Sequence, residues 1–452
     1  MLISSFRHIQ VQEIIVDGGD VEFFTSPKEY KQQLLLLIEN ARQRIFITAL
    51  YLQDDDAGRE VLFALYQAKA NFPDLIVNIF VDFNRGQRGL IGEKASLGNR
   101  ELYLKLAEQF PQTINIYGVA VKRKEVFGVL HLKGMVFDNT LFYTGASIND
   151  IYLHQADRYR LDRYCAINSA PLADSFCLYL TDTFINSGLA PLLNQTDIPD
   201  ALQQKRTLAL LKQKLKVSRY TAPKLATKLH VNVESNEASI LPLVGFGRNK
   251  NQLNQATRKL IQNAHSNMVI FTPYFNLPHA LARDIIRALK RGIKTTVVVG
   301  DKTANDFFIS KEEDFSTIGI VPYLYEMLLR RFVKRYQNFI DKGLLNIYLW
   351  KDNGNSFHLK GVRVDDRYHL ITGSNLNPRA WALDLENGLL LDDVNQLFLS
   401  KTDEELQGIL ANTVRVRHFS DIEAVADYAE KPQKLLKKIR VTQIHRVLKR
   451  FL

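Results

Sequence analysis

Several features that would define a protein class are missing from this chain. Its 452 residues include only two cysteines, Cys165 and Cys177, with no Cys-x-x-Cys pair. This excludes a disulfide scaffold and disfavours a zinc site, so we expect two buried free thiols. No apolar run of about 18 residues occurs, and no transmembrane helix is expected. The N-terminus lacks a charged start followed by an apolar stretch, which argues against a secretory signal and for a cytoplasmic protein.

Acidic residues are absent from two basic segments. Residues 201–233 and 431–452 each contain eight Lys or Arg side chains and no Asp or Glu. These segments more than account for the formal net charge of +11, so the rest of the chain is mildly acidic. Concentrated positive charge of this kind is typical of proteins that contact nucleic acid or an anionic membrane surface.

One order of motifs occurs twice, half a chain apart. A β-rich run, an amphipathic stretch and a strand ending in Asp occur first around residues 44–82 and again around 267–301. Each series then reaches a His-Leu-Lys-Gly segment and a Gly-containing turn. Strands that alternate with helices in two matched series predict an α/β fold of two homologous halves, related by a pseudo-two-fold axis, with the active site between them.

The predicted domain boundaries follow from this repeat and from the basic segments. In chain order they are a first α/β half (1–200), a basic linker segment (201–235), a second α/β half (236–430) and a basic amphipathic C-terminal helix (431–452). Within the linker segment, a helix is expected from Leu202 to about Val217, and Pro223 ends it.

The repeated motif His-x-Lys-x4-Asp carries the chemistry. Its two copies are His131, Lys133 and Asp138, and His358, Lys360 and Asp365. In a strand, residues two apart point to the same face, so each half presents one imidazole and one ammonium to a common surface. Such a cluster suits a phosphodiester, because lysines stabilise anionic oxygens while one neutral histidine attacks phosphorus and one protonated histidine donates to the leaving oxygen. That division requires unequal environments for the two rings.

Carboxylates with metal-ligand spacing do not accompany the motif. Two-metal hydrolysis is therefore not indicated, and we expect neither a metal nor another cofactor.

This motif resembles the HKD signature of the phospholipase D superfamily, in which Asp138 and Asp365 would be structural members of the motif. The superfamily pattern continues into a Gly-Ser-x-Asn turn, whereas this chain has Gly-Ala-Ser-Ile-Asn at 145–149 and Gly-Ser-Asn-Leu-Asn at 373–377. Which side chains contact phosphate therefore stays open. The candidates are Ser147 or Asn149 in the first turn, and Asn375 or Asn377 in the second. The resemblance also implies a carboxylate that orients a catalytic imidazole, with Asp162 and Glu386 as the candidates.

Over nearly its whole length the chain is similar to the phosphatidylserine synthases of Gram-negative bacteria. Stretches that carry the similarity include ALYLQDDDAG (49–58), VGDKTANDF (299–307) and TGSNLNPRAWALDLEN (372–387). The resemblance implies transfer of a phosphatidyl group from CDP-diacylglycerol to L-serine, with release of CMP and a phosphatidyl-histidine intermediate. It favours His131 as nucleophile and His358 as acid and then base, although the sequence alone does not order the two.

Further residues at strand ends are candidates for contact with cytidine, pyrophosphate or serine, because ligands of α/β sheets bind at the carboxyl ends of strands. They are Arg85, Arg88, Lys302 and Asn305.

The last segment predicts contact with a membrane. Apolar residues recur at helical spacing on one side of it and basic residues occupy the other. The apolar set includes Leu436, Ile439, Leu448 and Phe451, and the basic set includes Lys437, Lys438, Arg446 and Lys449. Such a helix is typical of the bilayer interface and would hold a cytoplasmic enzyme peripherally at the inner membrane. The alternative is a helix packed on the protein body. The segment RRFVKRY (330–336) is a second candidate contact.

Three alternative functions stay open at the level of the sequence. A cardiolipin synthase or a phospholipase D-type transphosphatidylase or hydrolase would share the covalent step and use another acceptor. A nucleic-acid phosphodiesterase would use the basic segments, but it would not need the apolar side of the tail, so no specific nucleic acid partner is predicted. A non-catalytic membrane scaffold would not need two intact His-x-Lys motifs. The oligomeric state does not follow from the sequence.

Overall fold

A computed structural model describes residues 12–89, 98–198, 201–221, 233–310 and 314–441. This part of the chain is a mixed α/β fold built around two large sheets, which confirms the fold class predicted from the sequence. None of its helices is long and apolar enough to cross a membrane.

The strands of the described residues are as follows. They are β1 (Ile14–Asp17), β2 (Val21–Phe24), β3 (Arg44–Thr48), β4 (Ile76–Asp82), β5 (Asn115–Val119), β6 (Met135–Phe137), β7 (Thr140–Thr144), β8 (Arg160–Leu161), β9 (Tyr164–Asn168), β10 (Glu237–Phe246), β11 (Asn267–Thr272), β12 (Lys294–Gly300), β13 (Leu345–Trp350), β14 (Ser356–Phe357), β15 (Gly361–Val364), β16 (Tyr368–Thr372), β17 (Leu385–Asp392) and β18 (Thr413–Val416).

The α-helices of the described residues lie between these strands and after them. They are α1 (Pro27–Asn40), α2 (Asp56–Asn71), α3 (Asn99–Gln109), α4 (Ala170–Leu180), α5 (Ala201–Val217), α6 (Gln252–Gln262), α7 (His279–Lys290), α8 (Ile320–Asp341), α9 (Pro378–Ala382), α10 (Leu399–Ala411) and α11 (Glu430–Val441). A π-helical turn, Thr181–Ile185, continues α4.

The two large sheets share one strand order. The first sheet runs β2-β9-β7-β6-β3-β4-β5, and the second contains β10-β17-β16-β15-β11-β12-β13 between the edge strands β1 and β18. Within each sheet the last three strands of this common order are parallel and the others pair antiparallel. The repeat in the sequence therefore appears as a repeat in topology. One strand crosses the division at residue 200, because β1 pairs with β10 in the second sheet.

Three hydrophobic clusters hold this arrangement together. One lies in each half, and a third contains side chains of both halves, including Tyr143 and Ile167 with Ile371 and Leu389. Each fully buried aliphatic side chain contributes roughly 1.5–3 kcal/mol of apolar burial. The shared cluster therefore makes the contact between the halves part of the hydrophobic core.

Local sequence signals explain where several elements begin and end. Ser26 accepts from the Glu29 amide while the Glu29 carboxylate accepts from the Ser26 amide, and Pro27 follows as the first helical residue of α1. This capping box satisfies amides that the first helical turn leaves unpaired. Asp138 and Asp365 act similarly on strands, since each carboxylate accepts backbone amides from the three residues at 42–44 or 265–267 that lead into β3 or β11.

The structure corrects one detail of the motif segments. The sequence analysis placed each His-x-Lys pair in a strand, with both side chains on one face. In the first copy β6 begins after Lys133, and in the second copy β14, which pairs with β8 in a separate two-stranded sheet, ends before His358 while β15 begins after Lys360. His131 and His358 lie in the segments just outside β6 and β15, because those segments leave their own sheets to reach the other half.

Candidate active site

Each motif segment is anchored on the opposite half of the molecule. Leu130 forms a parallel bridge with Leu385, and the His131 amide donates to the Leu385 carbonyl at 2.9 Å. In the second copy β14 pairs with β8, and the His358 amide donates to the Leu161 carbonyl at 2.8 Å. The two histidines are thereby drawn out of their own sheets toward the contact between the halves.

The orienting carboxylates are exchanged between the halves in the same way. Nδ1 of His131 lies 2.9 Å from Oε2 of Glu386, and Nδ1 of His358 lies 3.0 Å from Oδ2 of Asp162. Each imidazole therefore meets the carboxylate of the other half. With Nδ1 engaged, Nε2 is the nitrogen left to face a reacting atom.

The two motif lysines are 1% exposed. The ammonium groups of both contact the glycine turn of the first half. Nζ of Lys133 donates to Ser147 Oγ and to the Ala146 carbonyl, both at 3.3 Å. Nζ of Lys360 lies 2.8 Å from Asp162 and 3.5 Å from the Gly145 carbonyl.

Glycine is required where these lysines pass. A Cβ on Gly373 would stand 2.5 Å from Lys133 Cγ, and one on Gly145 would stand 2.5 Å from Asp162 Oδ1 and 2.8 Å from Lys360 Nζ. Heavy atoms in contact do not approach so closely, so only a residue without Cβ fits beside a lysine of the opposite half.

Asn149 and Asn377 hold matching positions in the two turns. Oδ1 of Asn149 accepts from the Tyr152 amide at 3.0 Å, and Oδ1 of Asn377 accepts from the Ala380 amide at 2.9 Å. Each Oδ1 thus caps the segment that follows, which leaves the amide nitrogens for other contacts. Nδ2 of Asn149 lies 3.3 Å from the Tyr51 hydroxyl. In the described part of the chain, Oδ1 of half-buried Asn375 has no hydrogen-bond partner.

The two carboxylates differ in their pKa values. Burial would raise the pKa of Asp162, but the adjacent Lys360 and His358 outweigh it and hold the pKa at about 2. Burial raises the pKa of Glu386 to about 8, despite the attraction of Lys133 and Lys360, and its Oε1 has no hydrogen-bond partner among the described residues. At neutral pH an ionised carboxylate therefore faces His358, and a largely protonated one faces His131.

The two histidines and Lys133 also have depressed pKa values. Burial and then Lys133 lower the pKa of His131 well below its usual value. Burial and then Lys360 lower the pKa of His358 to about 3, although Asp162 and Asp306 oppose this. Burial and then Lys360 lower the pKa of Lys133 to about 7. Both rings are therefore neutral without substrate, so the expected inequality lies in the carboxylates and not in the resting charges of the rings.

The four residues predicted at strand ends have different surroundings. The Arg85 guanidinium lies 4.6 Å from the ring centre of Tyr51, which also contacts Asn149. Arg88 forms a two-point ion pair with Glu125. Lys302 pairs with Glu326 and Glu423, and Asn305 is buried with its Oδ1 accepting from the Phe307 amide. Among these four, Arg85 is the guanidinium placed beside the motif residues.

Sequence reasoning missed a cluster beside His358. The Tyr152 hydroxyl lies 3.0 Å from Nδ1 of His358, and the Arg160 guanidinium lies 4.6 Å from the Tyr152 ring centre. Arg160 pairs with Asp306, whose Oδ2 accepts from the Tyr274 hydroxyl at 2.8 Å. Asp306 directly follows Asn305, which the sequence analysis names as a candidate. No sequence pattern, however, connects Asp306 with Arg160. Asn387 was missed as well, and its side chain binds both the amide and the carbonyl of Lys133.

Across the ranges that the structure describes, no group of three or more His, Cys, Asp or Glu side chains is placed to hold a metal ion. Both cysteines are buried free thiols whose pKa values burial raises to about 12.

Two matched α/β halves with an exchanged His-Lys-carboxylate cluster define an enzyme of the phospholipase D superfamily. A family profile described as "Cardiolipin synthase, PLD-like domain" matches residues 257–410, within the second half. Two curated relatives extend the similarity to nearly the whole chain.

The chain is 41% identical to a CDP-diacylglycerol–serine O-phosphatidyltransferase of Escherichia coli (strain K12), over 98% of this chain and 97% of that protein. It is also 41% identical to the enzyme of that name from Haemophilus influenzae, over 97% and 96%. The crystal structure of phosphatidylserine synthase from Haemophilus influenzae Rd KW20 superimposes with a TM-score of 0.94 at 39% identity, and all of both chains is covered. The chain belongs to the family of CDP-diacylglycerol–serine O-phosphatidyltransferases.

A more distant relative has a different acceptor in its name. A CDP-diacylglycerol–glycerol-3-phosphate 3-phosphatidyltransferase of Schizosaccharomyces pombe is 24% identical over 94% of this chain. The donor in its name is again CDP-diacylglycerol, whereas the acceptor in its name is glycerol 3-phosphate in place of serine.

Proposed function

We propose that this protein transfers a phosphatidyl group from CDP-diacylglycerol to L-serine, forming phosphatidylserine and CMP through a phosphatidyl-histidine intermediate. The observation that carries the proposal is the exchanged pair of imidazole–carboxylate contacts, His131 with Glu386 and His358 with Asp162, beside two buried lysines. The choice of CDP-diacylglycerol as donor and serine as acceptor rests on the names of the relatives in this family.

In the first step, Nε2 of His131 attacks the lipid phosphorus and CMP leaves. Lys133 and Lys360 stabilise the charge that develops on the phosphoryl oxygens, and Asn149 and Asn377 offer amide nitrogens to the same group. The negative charge of the bound donor raises the pKa of His358, so the ring takes up a proton when the donor binds and then gives that proton to the departing CMP oxygen. The ionised Asp162 supports an imidazolium at His358, whereas the largely protonated Glu386 favours a neutral ring at His131. These environments support His131 as the nucleophile.

In the second step, the serine hydroxyl attacks the phosphatidyl-histidine and the bond between phosphorus and Nε2 of His131 breaks. His358 takes the hydroxyl proton, so the group that acted as acid now acts as base. Arg85, which lies beside Tyr51 and Asn149, is the candidate for contact with the pyrophosphate. The ion pairs of Arg88 and Lys302 favour a structural role for those two side chains.

The division of the chain remains part of this proposal. Residues 1–200 and 236–430 each supply one histidine, one lysine and one carboxylate, while residues 201–235 connect them. Because the carboxylates are exchanged, neither half contains a complete site.

The test is incubation with CDP-diacylglycerol and labelled serine, together with exchange of labelled CMP into CDP-diacylglycerol in the absence of serine. The native enzyme should catalyse both reactions, and His131→Ala and His358→Ala should each lose most of both while remaining folded by circular dichroism. Transfer to serine without any CMP exchange would contradict the covalent route, and near-normal synthesis by either variant would contradict the assignment of the site.

We further propose that the protein binds the anionic inner membrane peripherally from the cytoplasm. The support is a groove of about 1130 Å³ formed by α7, α8 and α9. Its rim carries five arginines and one lysine, and none of the described residues that line it is Asp or Glu. The cations are Arg248, Arg283, Arg287, Lys290, Arg331 and Arg335. The apolar lining includes Leu277, Ile286, Leu328, Phe332 and Trp381.

A basic rim around an apolar groove is complementary to an anionic phospholipid, which offers a phosphate above hydrocarbon. Asn377 of the proposed active site caps α9, so one wall of the groove adjoins that site. The predicted contact at 330–336 falls within this surface.

The described part of the tail packs on the protein body, which is the alternative to the membrane contact that the sequence predicts. In α11 the apolar residues Leu435, Leu436 and Ile439 pack on a cluster that includes Tyr323 and Tyr428, so this part of the apolar side is occupied by the protein itself. Lys437 and Lys438 are exposed. Arg446, Lys449, Leu448 and Phe451 lie outside the described residues, and their role stays a prediction.

Binding to vesicles tests the groove. Arg331→Gln combined with Arg335→Gln should weaken binding to anionic vesicles most at low salt, because exposed charges are screened within about 10 Å at 0.1 M ionic strength. Lys105→Gln combined with Lys401→Gln is the control, since it removes two exposed charges elsewhere. Equal losses in both double variants would contradict a specific role for the groove.

A further inference from the structure

An acceptor site has to distinguish serine from the other hydroxyl compounds around it. Serine carries an ammonium and a carboxylate beside its hydroxyl, whereas water and glycerol carry neither, and glycerol 3-phosphate carries only negative charge. A site selective for serine therefore needs an anion and a cation placed together, near the group that takes the hydroxyl proton. In the proposed mechanism that group is His358.

An ion pair of this kind lies beside His358. Arg160 is in β8, which pairs with β14 immediately before His358, and Asp306 follows β12 in the second half. Nη2 of Arg160 lies 2.8 Å from Oδ1 of Asp306. Their side chains are 12% and 16% exposed, so the pair is largely shielded from solvent yet reachable.

The pair retains free hydrogen-bonding capacity. Nε of Arg160 is buried and has no hydrogen-bond partner in the described part of the chain. The carboxylate of Asp306 accepts from the Tyr274 hydroxyl at Oδ2 and also from the Ser356 side chain, and its two oxygens together still have further lone pairs. An unsatisfied buried guanidinium nitrogen is costly, so it favours a ligand that supplies an acceptor.

Aromatic rings connect the pair with the catalytic imidazole. Tyr152 lies under the Arg160 guanidinium at 4.6 Å and contacts His358 through its hydroxyl. The Tyr274 ring lies 6.2 Å from the His358 ring. Aromatic faces also suit an ammonium group. An amino acid held here would have its short hydroxymethyl group within reach of His358.

We propose that Arg160 and Asp306 bind the charged groups of the acceptor amino acid, Arg160 its α-carboxylate and Asp306 its α-ammonium. This inference rests on the proposed function, and it names the residues that select the acceptor. The serine oxygen then forms the bond to phosphorus as the bond to His131 breaks, and the hydroxyl proton passes to His358. Their proposed contacts are with the acceptor, and Asp306 bears on CMP release only through its charge near His358.

The matching place in the described part of the first half is different, because the ion pair there joins Arg88 and Glu125. The loop that follows β4 corresponds to the loop that follows β12, and it offers Arg85 over Tyr51 where the second half has Asp306 bonded to Tyr274. A single cation suits a phosphate, whereas paired opposite charges suit a zwitterion. The two ends of the site therefore differ in the way that a nucleotide donor and an amino acid acceptor require.

Steady-state kinetics of Arg160→Gln and Asp306→Asn test the proposal. Each should raise the KM for serine by about tenfold or more, because each removes one charge-assisted contact with the ligand. Serine-independent CMP exchange should fall by a smaller factor than transfer to serine in both variants. Arg367→Gln, which breaks a two-point ion pair with Asp392 at a turn between β15 and β16, is the control and should leave the KM for serine unchanged.

Acceptor analogues separate the two roles. Ethanolamine lacks the carboxylate, so Arg160→Gln should change its use far less than that of serine. 3-Hydroxypropanoate lacks the ammonium, so Asp306→Asn should change its use less than that of serine or improve it. If Arg160→Gln does not fold, Arg160→Lys tests the same contact, because it keeps the charge but loses the planar guanidinium and should raise the KM for serine by a smaller factor.

Three results would overturn the proposal. They are an unchanged KM for serine, a parallel fall of exchange and transfer, and equal effects on serine and both analogues. If the native enzyme exchanges CMP but does not use serine, the proposed function itself fails, and this result is distinct from the other three.

Discussion

Unequal carboxylates at the two histidines have consequences for individual substitutions. Asp162 is ionised beside His358 and also contacts Lys360, whereas Glu386 is held largely protonated by burial. The proposed acid–base role of His358 therefore depends on its carboxylate more strongly than the nucleophilic role of His131 does. Removing the negative charge from each carboxylate in turn separates the two roles.

Asp162→Asn should lower kcat at least about tenfold more than Glu386→Gln, because an acid–base contribution is typically about 10²–10⁴-fold and the charge of Glu386 is already largely absent. Formation of phosphatidylserine under saturating serine measures both effects. Losses of equal size would show that the environments of the two histidines do not differ in the way described.

The pKa of Lys133 predicts a pH dependence. Burial and Lys360 lower this pKa to about 7 in the free enzyme, so the ammonium is present below that pH and lost above it. The value of kcat/KM reports free-enzyme groups, and it should fall as the pH rises through about 7. Measurement on detergent-dispersed donor between about pH 5.5 and 9 checks this, and a steady rise over the upper half of that range would contradict it.

Sequence reasoning identified the residues of the site more readily than their pairing. The duplicated motif led to His131, Lys133, His358 and Lys360 because a repeated spacing is visible in one dimension. The exchange of Asp162 and Glu386 is not visible there, because it depends on two extended segments leaving their own sheets. Arg160 and Asp306 were missed for the same reason, since they are far apart in the chain and belong to no pattern.

Secondary-structure elements followed periodicity where local signals were strong. The helix expected from Leu202 to about Val217 is α5, and the amphipathic stretches predicted within 44–82 and 267–301 are α2 and α7. The tail shows the limit of such reasoning. Amphipathic spacing predicts a helix with an apolar side, but it does not tell whether a membrane or the protein covers that side.

A stability measurement distinguishes these two environments for α11. Leu436 is 4% exposed within the cluster of Tyr323 and Tyr428, so Leu436→Ala should lower the free energy of unfolding by about 2–5 kcal/mol. Lys437→Gln on the exposed side of the same helix should change it by less than about 0.5 kcal/mol. Denaturant titration in the absence of lipid measures both, and an unchanged midpoint for Leu436→Ala would show that α11 does not pack on the body.

At the scale of the whole molecule, the shared core predicts one cooperative unfolding transition. Side chains of both halves meet in a single cluster, and β1 belongs to the second sheet. Both tryptophans, Trp350 and Trp381, lie in the second half, so their fluorescence reports that half alone. Unfolding followed by fluorescence and by far-ultraviolet circular dichroism should coincide. A two-phase dichroism curve, with fluorescence following only one phase, would indicate halves that unfold independently.

The exchanged strands and carboxylates have one more consequence, for the ancestry of the site. Two identical chains around a true two-fold axis would have to present identical ends to their ligands, because every substitution in such a dimer occurs twice. Joining the copies in one polypeptide removes that constraint. One end of the cleft can then acquire Arg85 while the other acquires Asp306, and a symmetric frame can treat the two sides of a phosphorus atom differently.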